Sequence, residues 1–219
     1  MITMRELVQG EAWQYLTDGL AKSTYGPERE PLPGYFRGAG LGALGLHDGD
    51  IVTDEHLQRM LGDLSDPVTG EPVGPVPKRA GQGKRVAGFD LTFSVPKPVS
   101  VAWAMADQGT QALIHEAHEQ AIRDTLAYAE AQYIGSRSGE DGIVFEEIQG
   151  VIAASFTHYD SRSHDPYLHD HVVVWDRARS VSDGQWRALD GAGLYEAIQA
   201  LNALHTNIVA TCLGAGVSR

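Results

Sequence analysis

A single cysteine, Cys212, among 219 residues leaves nothing from which to build an internal disulfide or a thiolate metal cluster. The fold must therefore hold by packing, and a reducing cytoplasm is the expected compartment. Long apolar runs are also missing. Charge interrupts every stretch well short of the roughly 18 residues a membrane span needs, which excludes membrane insertion. The amino terminus, MITMRELVQGEAW, has no basic segment leading into an apolar one, so no secretory signal is expected. Positive charge is scarce too: the formal net charge is −12, which argues against non-specific nucleic-acid binding by the chain as a whole.

What charge there is, however, is unevenly placed. Residues 78–97 carry Lys78, Arg79, Lys84, Arg85 and Lys97 against the single acid Asp90. The acids concentrate elsewhere, in a helical segment with Glu116, Glu119, Asp124 and Glu130 and in Glu140, Asp141, Glu146 and Glu147, where they read as solvated surface. The length suits one globular domain with loops.

Periodicity outlines the elements. Leu7, Ala12, Tyr15, Leu16 and Leu20 share one helical face over residues 5–21, and the Gly- and Pro-rich stretch from Gly26 to Gly49 reads as a loop or lid. Thr53 caps a short helix, TDEHLQRML, and DPVTGEPVGPVP from Asp66 is too rich in proline for regular structure and reads as a flexible flap. GFDLTFS alternates strictly, putting Phe89, Leu91 and Phe93 on one face and Asp90, Thr92 and Ser94 on the other: a half-buried strand with a polar working face. Helices are predicted at residues 99–105, 111–133 and 194–213, long strands at 143–158 and 168–176, and a short one at 185–188. This order lacks βαβ regularity and predicts an α+β fold, with helices flanking an antiparallel β-sheet.

The chemistry concentrates in FTHYDSRSHDPYLHDHVVV. His169 and His171, two apart on a strand, project from one face, and His158 ends the strand before. If the intervening residues turn the chain back, three imidazoles converge. Three neutral nitrogens with open positions on the ion describe a catalytic metal site rather than a closed structural one. A cupin barrel, which also uses His-x-His, would need a glutamate shortly after His171, and VVVWDRAR has none. His164 reads as a surface turn residue; His47, His56, His115, His118 and His205 show no convergent spacing and read as structural or exposed.

Taken with GFDLTFSVPKPVSV from Gly88, DGQWRALD from Asp183 and the tyrosine-bearing amino-terminal region followed by GYFRGAGLGALGL, the histidine phrase resembles the MobF class of conjugative relaxases (TraI/TrwC type), which are HUH endonucleases. The resemblance covers nearly the whole chain in the family's order. It implies an antiparallel palm with flanking helices and a single relaxase domain over residues 1–219, truncated at its carboxyl end. It also implies site-specific nicking and religation of single-stranded DNA at a transfer origin through a 5′-phosphotyrosine, initiating conjugative transfer. By the same resemblance His158, His169 and His171 match the metal ligands, for Mg or Mn first, with Zn or Ni as softer options for an all-imidazole set. Asp90 matches a strand aspartate able to take the tyrosine proton or orient a histidine. Tyr15 matches the first catalytic tyrosine, Tyr25 falls where a second is found, and Tyr35 falls at an aromatic that packs or stacks on bases. Lys97 matches a family lysine. The basic residues Lys78, Arg79, Lys84, Arg85 and Lys97, with Arg162 in the histidine phrase, are candidate DNA contacts. The expected partners are single-stranded or hairpin DNA at a transfer origin and accessory transfer and coupling proteins. Two other readings are a rolling-circle replication initiator, disfavoured because Tyr15 and Tyr25 precede the histidines, and a non-catalytic DNA-binding or assembly module.

Overall fold

The computed structural model describes residues 1–10, 13, 15–16, 33–74, 85–138 and 144–216. Its centre is a six-stranded sheet. The strands are β1 (Ile2–Val8), β2 (Gly34–Arg37), β3 (Ile51–Val52), β4 (Val86–Ser94), β7 (Ala153–Asp160) and β8 (Pro166–Trp175). They run in the order β1-β4-β8-β7-β2-β3, with every neighbouring pair antiparallel. Two small ribbons lie outside it: β5 (Ser136–Ser138) with β6 (Val144–Glu146), and β9 (Ala178–Arg179) with β10 (Trp186–Arg187).

Strand alternation divides the sheet into two unlike faces. Phe89, Leu91 and Phe93 of β4 and Val172 and Val174 of β8 point to one face, where two long helices, α3 (Gln108–Gln132) and α4 (Gly191–Gly216), cover them. Those helices offer Ile122, Leu126 and Ala129, and Leu194, Ala197 and Leu201, at the three- and four-residue spacing of a single apolar stripe. Each fully buried Phe or Leu here contributes about 1.5–3 kcal/mol relative to exposure. Asp107 starts α3 by accepting the Thr110 amide at 2.8 Å.

The other face is covered at the Trp175 end of β8. Leu57 of α1 (Asp54–Leu57) and Met60 and Leu61 of the π-helical continuation Gln58–Asp63 pack there with Phe36, Phe156, Val173 and Trp175. Trp175 Nε1 donates to the Met60 carbonyl at 2.9 Å. Further along β8, at His171 and His169, this face turns polar.

Several elements differ from expectation. Residues 5–8 belong to strand β1 instead of a helix: a seven-residue antiparallel ladder with β4 satisfies their backbone, and Gly10, at φ 87°, turns the chain before Tyr15 and Leu16 become helical. The loop expected from Gly26 to Gly49 contains β2 and a 3-10 turn, Ala39–Leu44, although residues 26–32 lie outside the described part. The flap after Asp66 is pinned over its first half, where Arg59 donates to the carbonyls of Pro67 (3.0 Å) and Val68 (2.8 Å). The long strand expected at 143–158 is two strands, broken at Gly150. Its φ of 103° suits glycine, and a Cβ there would come 2.6 Å from that of Ala39. β4 is buried on both faces, not half-buried, because its polar face is roofed by the site itself.

Candidate active site

β7 and β8 form a hairpin in which His158 is paired opposite His169, and His171 sits two residues further along the same face. The ligand atoms of the three imidazoles all lie within 4.8 Å of one another, and their ring centroids are 5.0–5.3 Å apart. β8 also pairs with β4, which sets Thr92 opposite His171 and Asp90 opposite Val173. The Asp90 carboxylate, 3% exposed, accepts from His171 Nδ1 at 2.9 and 3.0 Å. That donation requires the proton on Nδ1 and leaves the Nε2 lone pair for a cation. His169 is oriented the same way, its Nδ1 donating to the Tyr167 carbonyl at 2.8 Å.

Burial, and then the charge of His171, lowers the His158 pKa, and burial lowers that of His169 to about 4. Both rings are therefore neutral near pH 7, the state that ligates metal. A donor set of three imidazoles, each offering one nitrogen and two of them oriented by a second hydrogen bond, fits a divalent cation.

Tyr15 approaches from the chain beyond β1. Its hydroxyl donates to Asp90 Oδ2 and its ring stands edge-on to His171 at 5.5 Å. Leu16 anchors this segment: its side chain is fully buried, and its carbonyl lies 3.3 Å from His158 Nε2. Burial, followed by the negative charge of Asp90, raises the Tyr15 pKa, so the phenol holds its proton and offers it to the carboxylate. Burial would raise Asp90, but the hydrogen bond and charge of His171, with Tyr15 and Arg5, outweigh it and hold the group ionised. The arrangement is a phenol, a proton acceptor and a cation site in contiguous contact.

Of the residues singled out from sequence, Tyr15, Asp90, His158, His169 and His171 thus come together. Tyr25, Lys78, Arg79 and Lys84 lie outside the described residues. Lys97 and Arg162 are exposed at the β7–β8 turn end of the site; Lys97 Nζ donates to the Pro166 carbonyl at 2.8 Å. Pro98 falls in the first turn of α2 (Lys97–Met105), where no amide donor is needed. Arg85 is remote: it lines a cavity of about 710 Å³ with Glu6 and Arg177 beside the start of α4. Tyr35 lies under the Arg37 guanidinium on the helix-covered face, in a packing position.

Two groups of residues escaped the sequence reading. Arg5, paired with Asp90 across β1 and β4, is 3.5 Å from its carboxylate and 4.7 Å over the Tyr15 ring. His118 and His205, expected to stand apart, converge behind the site. His205 Nε2 is 3.3 Å from His118 Nδ1, and His118 Nε2 is 3.3 Å from Asp170 Oδ1, off the line of a hydrogen bond. Asp170 also accepts from Ser155 (3.0 Å) and Thr157 (2.9 Å). The odd-even pattern of β8 places Asp170 opposite to the ligands, but the two histidines gathered behind it come from helices about 50 residues before and 35 after it.

An antiparallel palm that gathers a tyrosine, a strand carboxylate and three histidines on one face defines an HUH-type, tyrosine-bearing site. A family model described as TrwC relaxase matches residues 9–217, and the chain belongs to that family. It is 35% identical over 156 residues to the multifunctional conjugation protein TraI of Escherichia coli and 33% identical over 156 residues to that of strain K12. Each match covers 70% of this chain and 8% of the relative, so the chain spans a small part of the curated relatives' length. Among solved structures, it resembles the conjugative relaxase TrwC in complex with oriT DNA, copper-bound, with a TM-score of 0.77 and 30% identity over 98% of this chain and 70% of that one. TrwC with a 27-mer DNA comprising the recognition hairpin and the cleavage site gives a TM-score of 0.73 and 27% identity over 98% and 69%.

Proposed function

We propose that this chain nicks and rejoins one DNA strand at a transfer origin, with Tyr15 as nucleophile, to start conjugative transfer. The observation that carries the reading is the Tyr15 hydroxyl bonded to Asp90, whose carboxylate is bonded in turn to His171 of the imidazole triad. Kinship with TraI, and with TrwC bound to oriT DNA, supplies the substrate class.

In this reading Tyr15 Oη forms a bond to the scissile phosphorus as the bond to the 3′-oxygen breaks. The phenol proton passes to Asp90, and the departing 3′-oxygen takes up a proton. The 5′-phosphotyrosine retains the ester energy, so the reverse attack by a 3′-hydroxyl reseals the strand without ATP. His158, His169 and His171 hold a divalent cation, Mg or Mn in preference to Zn or Ni. Such a cation, when bound, polarises the phosphate and favours the phenolate. Arg5 screens the charge on Asp90 and the ring of Tyr15. Tyr25 is the second tyrosine, and Lys78, Arg79, Lys84, Lys97 and Arg162 contact phosphates. Hairpin and single-stranded origin DNA are the partners, together with accessory transfer and coupling proteins, in the cytoplasm. No helix among the described residues is long and apolar enough to cross a membrane.

The test is covalent trapping. Protein, Mn and a transfer-origin oligonucleotide are run on a denaturing gel, and the adduct peptide is identified by mass spectrometry. Adduct on Tyr15, lost in Tyr15→Phe, is expected, with Tyr25→Phe reduced or unaffected. Adduct on Tyr25 alone would overturn the assignment.

A further inference from the structure

The row of side chains that β8 presents to the site does not stop at the two histidines. Tyr167 precedes His169 by two residues and shares its face. Its ring stacks on the His169 imidazole, with centroids 4.3 Å apart and planes 29° from parallel. Another tyrosine at this hairpin, Tyr159, is buried and stacked on Trp103, whereas Tyr167 is only half-buried. His169 is already held by its own hydrogen bond to the Tyr167 carbonyl, which a residue of any type could supply. The aromatic ring is therefore more than the orientation of His169 demands.

Register fixes where this ring stands. Asp90 is opposite Val173, Thr92 opposite His171 and Ser94 opposite His169, so Tyr167 lies beyond the end of β4. Tyr15, bonded to Asp90 and edge-on to His171, marks one end of the row. Tyr167 marks the other, about 13 Å from His171 at roughly 3.3 Å of rise per residue. The imidazoles lie between the two tyrosines.

We infer that Tyr167 is a stacking shelf for a base of single-stranded DNA, the base of the nucleotide immediately 5′ of the scissile phosphate, which leaves with the free 3′-hydroxyl. The inference rests on Tyr15 as nucleophile. In-line displacement puts the entering and departing oxygens on opposite sides of phosphorus. Attack from the Tyr15 end sends the departing sugar towards the Tyr167 end. A half-buried aromatic face is what proteins use to hold an unpaired base, and it tolerates any base because each has a π-face. Exposed Arg162 and Lys97, at the same end of the hairpin, supply positive charge for the phosphates of a strand running off the shelf.

The test crosses changes in the protein with changes in the DNA. Oligonucleotides from the transfer-origin strand of the element that encodes the chain are made intact, with an abasic site just 5′ of the scissile phosphate, or with one just 3′ of it. Each is titrated by fluorescence anisotropy, with Mn present, into Tyr15→Phe protein, which binds without cleaving, and into the same protein carrying Tyr167→Leu or Tyr167→Phe. Leucine fills the space against His169 without a π-face; phenylalanine keeps the face. The 5′ abasic site is expected to weaken binding roughly 5- to 100-fold in the Tyr15→Phe parent and with Tyr167→Phe, and less than twofold with Tyr167→Leu. A comparison of two DNAs on one protein cancels any loss of metal affinity. No 5′ penalty in the parent, a penalty that persists with leucine, or one that responds to Tyr167 only at the 3′ position overturns the shelf. Covalent trapping with Tyr15 intact keeps the two readings apart. Adduct without the Tyr167 dependence removes the shelf alone, and Tyr167 dependence without adduct removes the nucleophile assignment, and with it the choice of the 5′ side.

Discussion

Arg5 and Asp90 are direct cross-strand partners, and the guanidinium that reaches to 3.5 Å from the carboxylate also covers the Tyr15 ring at 4.7 Å. One cation thereby touches both the proton donor and the proton acceptor. Arg5 is 58% exposed, so its contribution is screened. Arg5→Ala is expected to slow adduct formation by roughly 2- to 5-fold, the effect of an exposed ion pair and a cation–π contact of about 0.5–1 kcal/mol. The pH at which the rate reaches its plateau should move upward, since the phenol and carboxylate lose a positive neighbour. Single-turnover rates against pH check it.

Asp90→Asn keeps the shape of the side chain and removes its charge. The amide can still accept from His171 Nδ1 through its oxygen, but it cannot take the phenol proton. Adduct formation should fall by about 10²–10⁴-fold, the usual weight of a positioned base. Affinity for Mn should weaken by roughly 10–100-fold as His171 loses a carboxylate partner. Single-turnover gels and calorimetry give the two numbers separately, and a rate unchanged at saturating Mn would remove Asp90 as the acceptor.

Removing a ligand should separate metal from fold. His169→Ala is expected to abolish measurable Mn binding by calorimetry and to eliminate adduct, while far-UV circular dichroism stays as in the parent. EDTA on the unmodified protein should reproduce the loss of adduct, reversibly on adding Mn. Unchanged affinity in both His169→Ala and His171→Ala would reject the triad as the binding site.

The histidine pair behind the sheet makes stability depend on acid. Burial, then the nearby His118 and amino-terminal charges, lowers the His205 pKa to about 3, against an opposing pull from Asp170. The folded protein therefore refuses a proton that the unfolded chain accepts below about pH 6.5. Stability is complete above that pH and falls as pH drops towards 3, by up to about 1.4 kcal/mol per pH unit. Urea unfolding of the parent and of His205→Gln, at pH 7, 6, 5 and 4, should show a shallower decline in the variant. The difference reports His205 together with its contact to His118, because every group away from that contact is common to both proteins.

How much of this was legible in the sequence depended on distance along the chain. The two β8 histidines and Asp90 could be placed on faces because alternation is a local rule, and His158 followed from a short hairpin. Tyr167 obeys the same alternation, but a tyrosine beside a pair of histidines carries no local signal of a role at a metal site. Arg5 and the His118–His205–Asp170 contacts were not legible: each needs the pairing of elements distant in sequence, and no local pattern encodes that β1 pairs with β4 or that α3 and α4 cross behind β8. Of the helix expected over residues 5–21, residues 5–8 are strand for a related reason, since its apolar spacing runs through Gly10, where the structure turns; residues 17–21 lie outside the described part. The antiparallel sheet with flanking helices was legible because element order alone disfavoured crossover units.

The opposed faces of β8 also give the catalytic centre a form of proofreading. Sliding this strand by one residue against its neighbours would turn His169 and His171 towards the helices and bring Asp170 to the reacting side. Asp170 would then lose Ser155, Thr157 and His118 together, and Val173 and Trp175 would leave their apolar neighbours. A misaligned strand is thus penalised on both sides of the sheet at once, so the population competent to hold a cation is the population that is correctly folded.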